Sequence, residues 1–289
     1  ASIGLSERHL GLIPGYEDLA AQRKVTSIGA AIADSVDLDR LLQIAQQATP
    51  VAPATLPLQH KPEFNGLRIG IARDRAFGFY YPSDLEAIRQ SGAELIDIDT
   101  LHQQTLPAID GLFIGGGFPE RHAAALSANK SLRESIRNAI EGGLPAYAEC
   151  GGLMYLAKSI HWNGESHDMV GVLPAQAIMH ERPQGRGYVV LDENPDAHPW
   201  PSRPATAAPL QAHEFHYSAL QGLPADARFA HRVLRGKGIQ QQQDGYIHGN
   251  LLASYAHLRN TSATPWVRRF LQFVQAHKMN NTETIANAL

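Results

Sequence analysis

Short apolar runs alternate with amphipathic stretches through the middle of the chain. The apolar runs are typical of buried strands, and the amphipathic stretches are typical of helices. This alternation predicts a mostly parallel sheet with helices on both faces, because parallel strands are joined by crossover connections and are buried on both sides. The predicted strands are 67–72, 93–98, 111–114 and 144–149, and predicted helices begin near Ser83, Pro119, Ser131 and Gly152.

The two ends of the chain differ from this central part. The N-terminal part is helical in places, with Val36, Leu38, Leu41, Leu42 and Ile44 at roughly helical spacing. A proline-rich stretch then predicts a linker. Later β-like segments lie at 187–191 and 245–248, and a last helix is predicted from Thr264 to Ala276. We therefore expect a partial domain (1–50), a linker (51–65), one α/β domain (66–277) and a polar tail (278–289).

Charge and composition exclude several classes of protein. The net charge is −3 and no Lys/Arg cluster stands out, which does not favour nucleic-acid binding. No apolar run approaches the ~20 residues that span a bilayer. The N-terminus is not a signal peptide, and one cysteine permits neither an intrachain disulfide nor a cysteine-based zinc site. We expect a cytoplasmic protein that, because it begins with Ala1, is processed or part of a longer chain.

Cys150 is the first candidate for chemistry. It follows a predicted buried strand and precedes Gly151-Gly152 and a predicted helix, which is the pattern of a nucleophile elbow. A helix N-terminus lowers the pKa of a thiol and favours the thiolate. The Gly151 N–H would face a developing oxyanion, and the glycines at 115–117 would supply a second donor. A buried structural cysteine is the alternative, but the flanking glycines favour the nucleophile.

A cysteine nucleophile needs a base, and the sequence offers several histidines. His257 ends a strand-like run, and parallel strand ends gather at one edge of a sheet; His248 is the next candidate. His213 and His216 could bind a metal if they lay on a helix. Their neighbours suggest a strand instead, in which residues three apart face opposite sides. We therefore predict no metal site, and we expect the wall of a substrate pocket there.

Four motifs in this order resemble one known family. Residues 66–260, approximately, are similar to the glutamine amidotransferase domain of the cobyrinate a,c-diamide synthase family. This family includes hydrogenobyrinate a,c-diamide synthase. The resemblance implies a class I glutamine amidotransferase-like fold, a flavodoxin-like three-layer α/β arrangement. The motifs are FIGGGFPE (113–120), AECGGLMYL (148–156), HEFHYS (213–218) and ASYAHL (253–258).

The resemblance implies a role for each site residue. Cys150 would attack glutamine, His257 would act as base and acid, and Gly116 or Gly117 with Gly151 would form the oxyanion hole. Many class I amidotransferases carry a glutamate two residues after the histidine, but Arg259 stands there in this chain. Glu214 is then a candidate orienting group, and the same motif would place the side chains of His213 and His216 near the substrate or the base.

The family also implies partners that this chain mostly lacks. Relatives carry an ATPase domain with a phosphate-binding loop, and no such motif occurs here. Residues 4–14 resemble the last part of that domain, so we expect a short remnant of a P-loop ATPase. ATP and Mg²⁺ are implied for the full-length family, whereas no cofactor is expected on this chain.

The expected partners are L-glutamine, a corrin-type tetrapyrrole and an ATPase/synthetase domain that is either missing or separate, and a homodimer is compatible with the family. The ammonia would amidate the a and c carboxylates of the tetrapyrrole. Three alternatives remain open: a nickel-sirohydrochlorin a,c-diamide synthase, a glutaminase for another acceptor, and a degenerate interaction domain. The intact Cys150 and His257 argue against the last of these.

Overall fold

The chain forms two compact units, Ala1–Gln59 and His60–Leu289. The computed structural model describes residues 7–8, 11–12, 21–50, 62–204 and 206–287. The division falls within the predicted linker 51–65, most of which lies outside the described residues. Most of the segment 4–14, which resembles the end of an ATPase domain, also lies outside them. The boundaries predicted from the sequence therefore stay predictions.

The described residues of the first unit form two short strands and two helices. Strands β1 (Glu7–Arg8) and β2 (Gly11–Leu12) pair antiparallel. They precede helices α1 (Ala21–Ser35) and α2 (Leu38–Gln46). The side chain of Asp37 caps α2 by accepting a hydrogen bond of 2.8 Å from the Arg40 amide. Helical structure in this part of the chain agrees with the predicted spacing of its apolar residues.

The second unit alternates strands and helices in its first half and is rich in strands in its second. Its strands, in chain order, are β3 (Arg68–Ala72), β4 (Phe77–Phe79), β5 (Glu94–Ile98), β6 (Gly111–Ile114), β7 (Gly116–Gly117), β8 (Ala146–Glu149), β9 (Ser159–Trp162), β10 (Glu165–Asp168), β11 (Gln176–Met179), β12 (Gly185–Glu193), β13 (Leu210–His216), β14 (Ser218–Gln221), β15 (Arg228–Arg235), β16 (Gln243–His248), β17 (Leu251–Ser254) and β18 (His257–Leu258). Its helices are α3 (Pro82–Gln90), a 3₁₀ turn (Pro119–His122), α4 (Ala123–Ala128), α5 (Lys130–Glu141), α6 (Gly151–Leu156) and α7 (Trp266–Asn287).

The central sheet has a parallel half and an antiparallel half. The parallel strands follow the order β5-β3-β6-β8-β17, which is the flavodoxin-like order. The predicted α/β fold with a parallel, helix-flanked sheet is thereby confirmed. Beyond β17 the same sheet continues antiparallel through β16, β15, β12, β13 and β18. A smaller sheet has the order β10-β9-β11-β14.

Helices cover both faces of the parallel strands and make three layers. Successive residues of a strand face opposite sides, so Leu112 and Ile114 join one core and Phe113 joins the other. Helices α4, α5 and α6 supply side chains to the first core, and α3 and α7 supply side chains to the second. Both faces of the inner parallel strands β3, β6, β8 and β17 are therefore buried.

Two helix boundaries differ from the sequence prediction. The last helix, α7, continues to Asn287, so most of the predicted polar tail 278–289 is helical; residues 288–289 lie outside the described part. The predicted capping box at Ser83 does not form, because Tyr81 is the N-cap of α3 and makes no side-chain cap. The carboxylate of Asp84 instead accepts hydrogen bonds from the Asn260 amide and the indole of Trp266. Among the described residues, no helix has the length and apolar character needed to cross a membrane.

Candidate active site

Cys150 occupies a sharp turn between β8 and α6. Its backbone has φ 47° and ψ −100°, a conformation that costs on the order of 1–3 kcal/mol for a residue with a side chain. Its amide donates a 2.8 Å hydrogen bond to the Ser254 carbonyl of β17, which holds the turn. A Cβ at Gly151 would lie 2.8 Å from the Gly117 nitrogen, and one at Gly152 would lie 2.2 Å from the Ile114 carbonyl oxygen. The turn therefore requires glycine after the cysteine.

His257 lies against Cys150 because hydrogen bonds hold the segment 254–256 that precedes it. The parallel register of β17 and β8 pairs Ser254 with Glu149, so the chain leaves β17 beside the turn at Cys150. The buried carboxylate of Asp244 accepts hydrogen bonds from Ser254 Oγ and from the amides of the next two residues, at 2.7 to 3.0 Å. His257 then begins β18, and its imidazole lies close enough to the Cys150 sulfur for that group to raise its pKa. The two predicted chemical groups are thus brought together.

Glu149 is a third group at this site. Its Oε2 lies 3.3 Å from Nδ1 of His257. Its Oε1 accepts hydrogen bonds from the Tyr147 hydroxyl at 2.6 Å and from the Leu258 amide at 2.9 Å. In the sequence this residue stands out only as part of a motif, because neighbours in a regular strand face opposite sides. The positive-φ turn at Cys150 breaks that alternation.

The surroundings of His257 set its charge. Burial lowers the pKa of this imidazole, but the hydrogen bonds to Cys150 and Glu149 and their negative charges outweigh burial and raise it to about 10. At neutral pH this imidazole is therefore an imidazolium, a cation held between the Cys150 sulfur and the Glu149 carboxylate. A cation beside a cysteine favours the thiolate, which is the reactive form of that side chain.

The candidate residues His213, Glu214 and His216 of the third motif lie on opposite faces of strand β13. Side chains alternate along it, so His213 faces the cavity, whereas Glu214 and His216 are buried on the other side. Both oxygens of Glu214 are occupied, by the amides of Lys237 at 2.6 Å and Gly238 at 2.9 Å. The suggestion that Glu214 orients His257 is therefore wrong, because its carboxylate anchors a neighbouring loop.

His216 has a structural environment as well. Its ring stacks on Tyr255 with centroids 3.7 Å apart, and its Nδ1 lies 2.8 Å from the Ser218 carbonyl oxygen. His213 alone of the two histidines contacts the site, where its ring stacks on that of His257. His248, the second candidate base, is exposed at the end of β16.

The glycine loop lies directly beside the two reactive side chains. Gly116 and Gly117 form β7, which pairs with β4. A Cβ at Gly116 would lie 2.6 Å from Cε1 of His257, and the Gly117 nitrogen faces Gly151. The backbone of this loop and the N-terminus of α6 therefore surround the Cys150 turn from two sides.

A cavity of about 780 Å³ opens beside His257. Two arginines line it: Arg186 lies over the ring of Phe215 at 5.9 Å, and Arg259 lies over the ring of Tyr81 at 5.5 Å. The Phe215 carbonyl lies 3.8 Å from the Cys150 sulfur. The cavity therefore offers positive charge and aromatic rings beside His257.

A second group of polar side chains lies away from this site. Glu193, His198 and His231 each place one potential ligand atom within 4.8 Å of the others. Arg269 already bonds Glu193 at 2.6 Å, and the Trp200 amide donates to Nδ1 of His198. The proton of neutral His198 then lies on Nε2, which faces Glu193 at 3.3 Å. Arg203 and Arg269 both pair with Glu193, so this group is a buried cluster that contains an ion pair.

Residues 68–264 match the sequence profile of the CobB/CobQ-like glutamine amidotransferase domain. The chain belongs to this family. The match spans the parallel strands, the Cys150 turn and His257. It therefore covers the site described above, and it makes the domain a glutamine amidotransferase.

Three relatives that align with most of this chain have the same name. The chain is 42% identical over 278 residues to a cobyrinate a,c-diamide synthase from Magnetococcus marinus, covering 94% of this chain and 59% of that protein. It is 36% identical to a protein of the same name from Methanothermobacter thermautotrophicus, covering 93% and 58%. A Listeria monocytogenes relative of that name is 40% identical, covering 89% and 56%. The chain thus spans little more than half the length of these relatives.

Solved structures share the fold at low sequence identity. PurLQS from Thermotoga maritima has a TM-score of 0.55 at 15% identity, covering 73% of this chain and 98% of that chain. A putative GMP synthase protein from Thermoplasma acidophilum has a TM-score of 0.52 at 16% identity, covering 75% and 98%. These likenesses confirm the class I glutamine amidotransferase-like fold.

Proposed function

We propose that this chain hydrolyses L-glutamine to glutamate and ammonia at Cys150. The observation that carries the proposal is the strained turn that places the Cys150 thiol beside His257 in a domain of the glutamine amidotransferase family. A thiolate next to an imidazolium provides both the nucleophile and the acid that amide cleavage needs.

In the first half-reaction the Cys150 thiolate attacks the side-chain amide carbon of glutamine. The carbonyl oxygen becomes an oxyanion, which the backbone N–H of Gly151 and a donor from Gly116 or Gly117 would stabilise. The imidazolium of His257 then gives its proton to the nitrogen. The carbon–nitrogen bond breaks, ammonia leaves, and a glutamyl thioester remains on the sulfur.

In the second half-reaction a water molecule replaces the cysteine. Neutral His257 takes a proton from the water as it attacks the thioester carbon, and the same donors stabilise the second oxyanion. The carbon–sulfur bond breaks and releases glutamate. The thiolate and the imidazolium are restored, so the cycle needs no further proton donor.

The cavity suits the charged end of glutamine. Arg186 and Arg259 line it, and a guanidinium binds a carboxylate with two parallel hydrogen bonds. Their stacking on Phe215 and Tyr81 holds the two guanidinium groups at the cavity wall. The α-carboxylate of glutamine would pair with one of them while its amide reaches Cys150.

The names of the relatives support a use for the ammonia in a second reaction. In this proposal the ammonia amidates the a and c carboxylates of a corrin-type tetrapyrrole in cobalamin biosynthesis, after ATP and Mg²⁺ activate them on a synthetase domain. The relatives are long enough to hold such a domain besides the matched part. A cytoplasmic enzyme, alone or as a homodimer, fits the same proposal, and nickel-sirohydrochlorin is the alternative acceptor.

The first experiment measures glutamate and ammonia after the chain is incubated with glutamine. We expect activity in the wild-type chain, none with Cys150→Ser or His257→Asn, and retained activity with His248→Asn, the matched control on an exposed histidine. A diazoketone analogue of glutamine adds a readout that does not require turnover. It should label Cys150 only, and glutamine but not asparagine should prevent labelling. Activity that survives Cys150→Ser, or labelling that glutamine does not reduce, would contradict the proposal.

A further inference from the structure

The carboxylate of Glu149 is held in one orientation by donors on a single oxygen. Its Oε1 accepts from the Tyr147 hydroxyl and the Leu258 amide, which leaves Oε2 to face Nδ1 of His257 at 3.3 Å. Leu258 follows His257 directly, so the carboxylate binds both the base and its backbone. With 3% of its surface exposed, Glu149 can pair with no group in solvent.

The other candidates for this role are placed elsewhere. Arg259 stands two residues after the histidine, where many class I amidotransferases carry a glutamate, and its guanidinium lies over Tyr81. Both oxygens of Glu214 bind backbone amides of a loop. The ionisable groups that face His257 are Cys150 and Glu149, with His213 stacked on its ring. Glu149 is therefore the carboxylate positioned to act on the base.

We infer that Glu149 is the positioning residue of this site, and that the residue before the nucleophile completes a Cys150–His257–Glu149 triad. The inference rests on the proposed glutaminase function. Glu149 accepts the Nδ1 proton of His257, which fixes the tautomer and turns Nε2 toward the thiol. It does not touch glutamine.

The contact between Glu149 and His257 matters energetically because His257 is buried. An imidazolium removed from water is unfavourable unless an anion lies beside it. Glu149 supplies such a charge throughout the cycle, including the thioester stage, when Cys150 is acylated and carries none. Without Glu149 the imidazole should lose its proton at lower pH, and the thiolate should form only at higher pH, as the two titrations are coupled.

The test is the alkylation of Cys150 by iodoacetamide across a pH series, followed by mass spectrometry. Cys150 is the only cysteine, so the adduct reports one site. Alkylation requires the thiolate but not glutamine, and it therefore tests Glu149 even if the chain fails to hydrolyse glutamine. The readout is the midpoint pH of the alkylation rate, measured in the wild-type chain and in each variant. In Glu149→Gln it should rise by about one pH unit or more, with a roughly tenfold slower reaction at pH 7.

The matched control is Glu214→Gln, the same change at a buried glutamate that anchors a loop. Its alkylation midpoint should equal that of the wild-type chain even if its melting temperature falls. Glu149→Asp keeps the negative charge but moves it away from Nδ1 of His257. Its alkylation midpoint should therefore lie between those of the wild-type chain and Glu149→Gln. This variant serves as the test if Glu149→Gln does not fold. Equal midpoints for folded Glu149 variants and the wild-type chain would overturn the inference, as would an equal upward shift in Glu214→Gln.

Discussion

The imidazole rings of His213 and His257 are stacked, with centroids 4.7 Å apart and an angle of 14° between their planes. The register of β13 and β18 pairs these two residues directly. Nδ1 of His213 also lies 3.0 Å from the Tyr81 hydroxyl. Burial and the neighbouring charge of His257 lower the pKa of His213. One ring of the stack is thus kept neutral while the other carries the proton.

This stack predicts a specific pH dependence. The pKa of His213 lies below the ordinary value of about 6.5, so His213 gains a proton only in acid, and a second cation then faces His257. We expect His213→Gln to move the acid limb of glutaminase kcat/KM to lower pH, with a modest loss at the plateau. The measurement is kcat/KM from pH 4.5 to 8, with His248→Gln as the control. An acid limb at the same pH in both variants would show that His213 does not contribute to it.

Gly116 gives a second prediction, which is steric. A Cβ there would lie 2.6 Å from Cε1 of His257, so alanine would push the imidazole away from Cys150. We expect Gly116→Ala to lower kcat at least tenfold while the protein stays folded, because small displacements of a catalytic group cost this much or more. The control is Gly29→Ala in α1, where nothing lies within 4 Å. Full activity in Gly116→Ala would contradict the tight packing of the glycine loop on the base.

The parts of the fold that the sequence predicts well are the ones that depend on nearby residues. The apolar runs of β3, β6 and β8 are continuous because both faces of those strands are buried. The glycines after Cys150 are needed by the turn itself, so they mark it in the sequence. The rule that parallel strand ends gather at one edge makes His257 a candidate partner of Cys150, with His248 as the next candidate.

Other features depend on distant contacts, and the sequence alone does not predict them. The buried carboxylate of Asp84 finds its partners, Asn260 and Trp266, far along the chain, and no pattern near Ser83 predicts them. The contact of Glu149 with His257 depends on the positive φ of Cys150 and on a donor from a distant segment, the Leu258 amide. The antiparallel half of the sheet likewise depends on pairings such as β13 with β18. Local patterns carry no information on such pairings.

Asp84 gives a third prediction, which concerns stability. Its buried carboxylate accepts from the Asn260 amide and from Nε1 of Trp266, and it ties α3 to the start of α7. Asp84→Ala would leave these donors unsatisfied, and each such loss costs about 1–3 kcal/mol. We therefore expect the free energy of unfolding to fall by about 2–4 kcal/mol in urea titrations. Asp226→Ala, at an exposed aspartate, is the control and should change it by less than about 0.5 kcal/mol. Equal stability of the two variants would contradict the role of Asp84.

The last prediction concerns two histidines that lie away from the active site. Burial lowers the pKa of His198 to about 2 and that of His231 to about 3, with further lowering from neighbouring Arg269 and Arg203. In the unfolded chain both should titrate near 6.5. Below that pH the two histidines bind protons in the unfolded chain but not in the folded chain. Stability is therefore lost as the pH falls from about 6.5 toward the pKa values of the folded chain.

Replacing one of these histidines should therefore flatten the loss of stability in acid. For His231→Leu we expect the slope of unfolding free energy against pH, measured in urea between pH 4 and 6, to fall by up to about 1.4 kcal/mol per pH unit. Its stability near pH 8 can differ in either direction, because the slope and not the absolute value carries the test. His248→Leu removes an exposed histidine and should leave the slope unchanged. If His231→Leu kept the wild-type slope, His231 would have to bind its proton as readily in the folded chain as in the unfolded one.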